Sequence, residues 1–391
     1  MGFRQGITLA DRIEQVGSAS SGFDYLRIGL AIGVVCWHSI VTTQGFGYEQ
    51  PLWDSWRMLI GGLLPMFFAL SGFLVSGSLV RTKSIGRFLS LRAIRLYPAL
   101  AVEVLLSALI LGPLLTKLPL SEYFSRHEFW AYFHNIIGYI TFPLPGLFDD
   151  NPFPSITNVS LWTIPFELEC YICLTVFALI GLKRRFLLLL AVCVMMVCAT
   201  YMLAHRPNAI QFDTPPGRLL VGCFLGGVLA YLYRDRIPFS GGLFALALAL
   251  HFLLTRHAWT AYLSIFPTAY VTAWLGLLNP PKRTFLLRGD YSYGLYLFAF
   301  PIQQAYAQLF PQHRVIWLAT LCALAAGLAY AAFSWHCVEK PILKRKNEII
   351  ATAGRMLRPV ARALSFAWPA MSRQSARGNE ANIAVGETSR S

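Results

Sequence analysis

The first apolar stretch of the chain carries three ionisable residues, Asp24, Arg27 and His38. Charged groups are costly in hydrocarbon, so each is a candidate for function. Arg27 and His38 are eleven residues apart, about three helical turns and roughly 16 Å, which puts them near one face of a helix. Histidine changes charge near neutral pH and suits proton transfer. The plainer role for His38 is a packed polar core residue; for Arg27 it is a side chain that snorkels to the headgroups.

A second group is basic. Arg87, Arg92 and Arg95 lie between Arg81 and Pro98, with no acid from 81 to 95. Their spacing places Arg92 and Arg95 on one side of a helical turn. Paired guanidiniums suit a polyphosphate ligand; a positively charged anchor for a membrane loop is the competing account. A third group is acidic, Glu167 and Glu169, five and seven residues after Trp162. Boundary carboxylates can be merely hydrated, but helix geometry turns these two about 200° apart, so they cannot share one site. Pro165 fits the start of that helix and would put Glu167 in its first turn. Ser71-Gly72 can let a neighbouring helix approach closely. Tyr291, Tyr293 and Tyr296 suit an interfacial aromatic belt. Cys170 and Cys173 lack a second pair, so the eight cysteines read as small buried hydrophobes, with no metal site.

The elements that must position these residues are apolar. Of 391 residues 56% are hydrophobic and 13% charged, and the mean hydropathy is +0.53. A soluble domain carries about 25% charge, so this chain lacks a water-facing surface. Apolar runs fall near 25–43, 58–80, 97–115, 162–182, 186–203, 217–233, 238–254, 260–278, 291–310 and 315–335. The expectation is an all-α, polytopic membrane protein with about ten transmembrane helices, not an alternating β-barrel. Thirteen Lys/Arg fall in one set of connections and five in the other. By the positive-inside rule both termini are cytoplasmic. Three regions follow: a cytoplasmic segment 1–22, a transmembrane domain 23–345 with an outer loop near 116–160, and a flexible basic tail 346–391. Phe129–Phe148 reads as an interfacial or re-entrant segment of that loop. From Lys340 to Ser391 ten Lys/Arg stand against three acids, half of the net charge of +14, which favours an anionic leaflet over nucleic acid as partner. The polar start of the chain shows no cleavable signal peptide.

Taken in order, these pieces resemble the membrane acyltransferase-3 family, which O-acylates extracytoplasmic glycans. The matching motifs are Arg27-x10-His38, Phe67-Phe68-Ala69-Leu70-Ser71-Gly72-Phe73, Arg92-x-x-Arg95 with Tyr97-Pro98, Trp162-x4-Glu167, Ser292-Tyr293-Gly294-Leu295-Tyr296 and Val338-Glu339-Lys340-Pro341. Ser160–Glu167 and Phe300-Pro301-Ile302-Gln303-Gln304 are most similar to its exopolysaccharide acetyltransferase branch. The resemblance implies a bacterial inner-membrane O-acetyltransferase with acetyl-CoA, or another acyl-CoA, as donor substrate and no tightly bound cofactor. It implies a polysaccharide or lipid-linked glycan acceptor, with polysaccharide-assembly proteins as possible partners. It casts His38, Glu167 and Arg27 as catalytic, Arg87, Arg92 and Arg95 as donor-binding, and Ser71, Trp162, Tyr293 and Tyr296 as acceptor-binding or structural. His38 can serve as general base or as acyl carrier. Many members have a histidine where this chain has Ala299, and many carry an esterase domain after the last span; here transfer is expected from the membrane domain alone or with a partner. A transporter or flippase is the alternative, but it would be expected to show repeated halves with interrupted helices, and none is visible.

Overall fold

The structure is a computed structural model that describes residues 7–17, 20–82, 84–181, 184–205, 216–283, 289–352 and 354–355. The expected basic tail beyond 355 lies outside these residues. Met1–Pro341 form one compact unit and Ile342–Ser391 a second. In chain order the helices are α1 (Leu9–Val16), α2 (Ser21–Gln44), α3 (Phe46–Ile60), α4 (Leu63–Thr82) and α5 (Ile85–Leu106). A π-helical turn, Ser107–Leu111, carries α5 into α6 (Gly112–Leu115), and α7 (Leu120–Ser125) and α8 (His127–Tyr132) follow. Then come α9 (Ile164–Ile180), α10 (Arg185–His205), α11 (Gly217–Leu232), α12 (Gly241–Thr255) and α13 (Ile265–Gly276). The series closes with α14 (Tyr291–Leu309), α15 (Ile316–Phe333), a second π turn at Ser334–Glu339, and α16 (Lys340–Lys344).

Each of the ten apolar runs contains a helix, and the described residues include no strand beyond an isolated bridge between Thr8 and Pro238. Among the described residues six segments are long and apolar enough to cross a membrane: Ser21–Gln44, Ser55–Thr82, Ile85–Leu115, Val159–Ile180, Arg185–His205 and Ile316–Lys344. The other four runs fall short for visible reasons. α11, α12 and α13 have 16, 15 and 12 residues, against the roughly 20 that a bilayer core requires. α14 has 19 residues but carries Gln303, Gln304 and Gln308 among its apolar side chains.

Close backbone approach holds the bundle together. A Cβ at Gly72 of α4 would stand 2.0 Å from the carbonyl oxygen of Phe224, and one at Gly227 of α11 would stand 2.0 Å from that of Ala69. No side chain fits at either position, so two glycines interlock α4 with α11 as expected of small residues at helix contacts. Around this contact Phe68, Ala69, Cys170, Leu174, Leu220, Phe224 and Ile265 make one apolar core. A second core joins α5 and α14 to the connection between α6 and α9 through Leu100, Val104, Tyr123, Tyr132, Leu147, Leu161 and Leu297.

That connection, residues 116–158, is ordered by its own aromatic residues and then runs along α14. Phe148 N–H donates to Gln308 Oε1 at 3.1 Å. Asn151 Nδ2 donates to the Gln304 carbonyl, and Gln304 Nε2 donates to the carbonyls of Phe153 and Ile156, each within 2.9 Å. Further along, Asn158 Nδ2 donates to the Leu297 carbonyl at 2.7 Å, and the Tyr296 hydroxyl donates to the Ser160 carbonyl at 3.1 Å. Residues 148–163 are therefore a strap that follows α14 backwards from Gln308 to Tyr296. Non-helical backbone among buried helices needs such partners, and the amide side chains of α14 supply them.

Candidate active site

The strap ends at a cavity of about 160 Å³ inside the bundle. Its wall includes Arg27 from α2, Ser71 from α4, and Arg92 and Arg95 from α5. Thr163 and Glu167 come from the strap end and α9, with Asp290, Tyr293 and Tyr296 from the start of α14. Phe67, Phe68, Leu74, Val75 and Phe224 complete an apolar side.

The arginines differ in their partners. Arg27 Nη1 lies 3.1 Å from Asp290 Oδ2, and Arg95 Nη2 bonds the same oxygen. Arg95 Nη1 also reaches Glu339 Oε2 at 3.4 Å, while its guanidinium lies 5.6 Å from the Trp335 ring centre. Both carboxylates are held from behind, Asp290 by Ser292 Oγ and Glu339 by Ser334 Oγ, each at 3.0 Å. The π turn at Ser334–Glu339 turns Glu339 inward, where it is 1% exposed. Arg92 is different. Its guanidinium lies 5.9 Å from the Phe88 ring centre, it has no ion pair within 4 Å among the described residues, and its Nε is buried without a hydrogen-bond partner. A buried donor left unpaired is uncommon and needs a ligand or water to complete it.

On the opposite wall Glu167 lies in the first turn of α9, with Pro165 at the helix start, and accepts a hydrogen bond from the Tyr171 hydroxyl. Glu169 points elsewhere and pairs with Arg218. The Tyr296 hydroxyl lies 3.0 Å from Thr163 Oγ1, and Tyr293 donates to the Leu96 carbonyl at 3.3 Å.

The cavity thus gathers Arg27, Arg92, Arg95, Glu167, Ser71, Tyr293 and Tyr296. It leaves out three other candidates. His38 stands eleven residues beyond Arg27 on α2 and is edge-on to Phe300 with ring centres 5.2 Å apart. Among the described residues its imidazole has no hydrogen-bond partner. Trp162 packs against Phe166 at the edge of the first core, at 5.8 Å between centres. Arg87 is exposed near the start of α5. Asp24 pairs with Lys282 Nζ at 2.7 Å. All eight cysteines are free thiols, and Cys170 is a buried part of the wall.

Sequence reasoning gave no role to Asp290, Glu339 or Tyr171. Glu339 stood inside a recognised motif and Asp290 two residues before one, and the signal was available: acids at the ends of apolar runs, in a chain whose apolar runs also hold arginines.

Among the described residues six segments have membrane length, and four of them line a cavity of arginines, carboxylates and tyrosines, as in a multi-pass membrane enzyme. Residues 20–335 match the acyltransferase domain of the acyltransferase-3 family, so the chain belongs to that family. The O-acetyl transferase of Shigella phage Sf6 is 28% identical over 350 residues, covering 84% of this chain and 97% of the phage protein. Nodulation protein 10 of Rhizobium leguminosarum bv. viciae is 27% identical over 366 residues, covering 85% of this chain and 95% of that protein. The chain is accordingly an acyltransferase of the O-acetyltransferase type. No solved structure matches it.

Proposed function

We propose that the protein moves an acetyl group from cytoplasmic acetyl-CoA to a hydroxyl of an extracytoplasmic polysaccharide or lipid-linked glycan. In this reading it spans the bacterial inner membrane about ten times with both termini cytoplasmic. The observation that carries the proposal is Arg92, a half-buried arginine whose buried Nε has no partner, in a cavity whose other two arginines are ion-paired. An anionic or carbonyl-bearing ligand completes it. In this reading the cavity takes the acyl end of a donor, and the phosphates lie towards the exposed Arg87 at the start of α5.

His38 lies on the strap side of this cavity. By helical rise it stands about 16 Å beyond Arg27, and Phe300, its ring neighbour, stands about 6 Å beyond Tyr296. The donor approaches from the arginine end and the acceptor along the strap side, with the thioester carbon between them. His38 takes the proton from the acceptor hydroxyl, which attacks the carbonyl carbon; the C–S bond breaks and CoA leaves as the thiol. As an acyl carrier His38 would itself attack first, with the hydroxyl displacing it in a second step. Arg92 holds the donor through an anionic group, and Glu167 orients the acceptor. The relative named O-acetyl transferase supports the reaction class. The experiment is release of free CoA from acetyl-CoA by the purified protein in nanodiscs, paired with mass spectrometry of surface glycans from cells with and without the gene. Loss of an acetyl mass from one glycan is expected. Unchanged glycans and an intact thioester would contradict the proposal and favour a carrier that moves a glycan or its precursor.

A further inference from the structure

Glu103 lies in α5, eight residues beyond Arg95, with 0% exposure and no contact with the cavity. Its Oε1 accepts from Asn158 Nδ2 at 2.8 Å and from Ser107 Oγ at 2.9 Å. Leu100, Val104, Ala108, Leu297 and the ring of Tyr132 form the apolar core around it, and both Glu103 Oε2 and the Tyr132 hydroxyl are buried without a hydrogen-bond partner, so packing alone gives no reason for a carboxyl at this point.

Asn158 links that carboxyl to the site. The same Nδ2 donates to the Leu297 carbonyl at 2.7 Å. Its Oδ1 accepts from Ser160 N–H at 3.0 Å and caps the 3₁₀ turn Val159–Thr163. That turn runs without a break into α9 and Glu167. The helix that holds Glu103 also carries Arg92 and Arg95, about 16 and 12 Å away by helical rise. One contact therefore ties the helix of the arginines to the start of the helix that carries the carboxylate facing them.

We propose that Glu103 is a positioning residue for the transfer: through Asn158 it sets the height and rotation of Glu167 relative to Arg92 and Arg95. The inference rests on the role given to Glu167 above. Without the contact the capped turn that leads into α9 loses its tie to α5, and Glu167 drifts while the arginines stay in place. Misplacement by 1 Å can cost about 100-fold in rate. The expected signature is a fall in kcat of about 10- to 100-fold with the KM for acetyl-CoA held within about twofold.

The test uses the full-length protein in nanodiscs and the variants Glu103→Ala, Glu103→Gln and Asn158→Asp. Gln keeps an oxygen that accepts from Asn158 and Ser107, so Glu103→Gln is expected to retain near-native kcat. Glu103→Ala and Asn158→Asp are expected to show the kcat loss at constant KM. If Glu103→Ala does not fold, Asn158→Asp carries the comparison with Glu103→Gln. In a Glu167→Gln background the Glu103→Ala change should add little, because both act through one group. Native kcat in both Glu103→Ala and Asn158→Asp, parallel changes in kcat and KM, or effects that multiply with Glu167→Gln would each overturn the proposal. Full activity of Glu167→Gln alone would instead remove the role of Glu167, a separate failure read from a separate protein.

Discussion

The two ends of the site solve the problem of buried polarity differently. Around the cavity floor the groups are ionic: Arg27 and Arg95 share Asp290, and Arg95 also holds Glu339. Along the strap they are mostly amides and hydroxyls, with Glu103 the one buried carboxyl on its path among the described residues: Asn151, Asn158, Gln304 and Gln308 serve backbone carbonyls and N–H groups at 2.7–3.1 Å. Irregular backbone needs donors and acceptors together, which a neutral amide supplies without the desolvation cost of a charge. At the floor two arginines are held by carboxylates while Arg92 has no ion pair among the described residues, an arrangement consistent with the proposed anionic donor; the amide-rich strap is consistent with the proposed hydroxyl-bearing acceptor.

The largest expected effect lies where the two regions meet. His38→Ala should abolish transfer, a loss of about 10²–10⁴-fold for a general base, with expression and membrane insertion intact by immunoblot of membrane fractions. Normal glycan acetylation in that variant would remove His38 from the chemistry. Next, Glu167→Gln should lose most activity and Glu169→Gln should keep most of it, measured as acetyl incorporation. Glu169 already pairs with Arg218 away from the cavity, so the reverse pattern would sever the link between cavity placement and function.

Donor handling divides the arginines. Arg92→Ala should weaken acetyl-CoA binding by about 10- to 100-fold, the value of a charged hydrogen bond, by titration in detergent. Arg92→Lys should restore it only in part, because an ammonium lacks the guanidinium fork. Arg87→Ala, at an exposed position, should cost only a fewfold; equal losses at both positions would erase the distinction between cavity and surface. Smallest for catalysis is Gln304→Leu, which strips the carbonyls of Phe153 and Ile156 of their donor. It should lower stability by about 1–3 kcal/mol in thermal unfolding while acetyl-CoA affinity stays unchanged.

Much of the floor was legible in the sequence, because charges in apolar runs stand out and helical spacing decides which face they share. Arg92 and Arg95 reach one cavity for that reason, and Glu167 with Pro165 occupies the expected first helical turn. The strap was not legible. Its path depends on Gln304, Asn151 and Asn158, ordinary polar residues whose partners lie 55 to 153 positions away. Glu103 went unnoticed because it sits alone in an apolar run outside any recognised motif. Four of the ten apolar runs lack a long apolar helix, one of them for a local reason: the run 260–278 includes a 3₁₀ turn at Ala261–Ser264 and leaves 12 residues of α-helix in Ile265–Gly276. Apolar composition marks burial, and it does not by itself supply length.

Transfer across the membrane, as proposed, puts the donor at the arginine end and the acceptor at the strap side. Sealed inner-membrane vesicles of both orientations test it most directly, with labelled acetyl-CoA supplied only to the outside and the glycan present on both faces. The account predicts labelled glycan in the lumen of inside-out vesicles, none in right-side-out vesicles, and none in either with His38→Ala. Label incorporated from acetyl-CoA outside right-side-out vesicles, or glycan labelled on the same face as the donor, would contradict it.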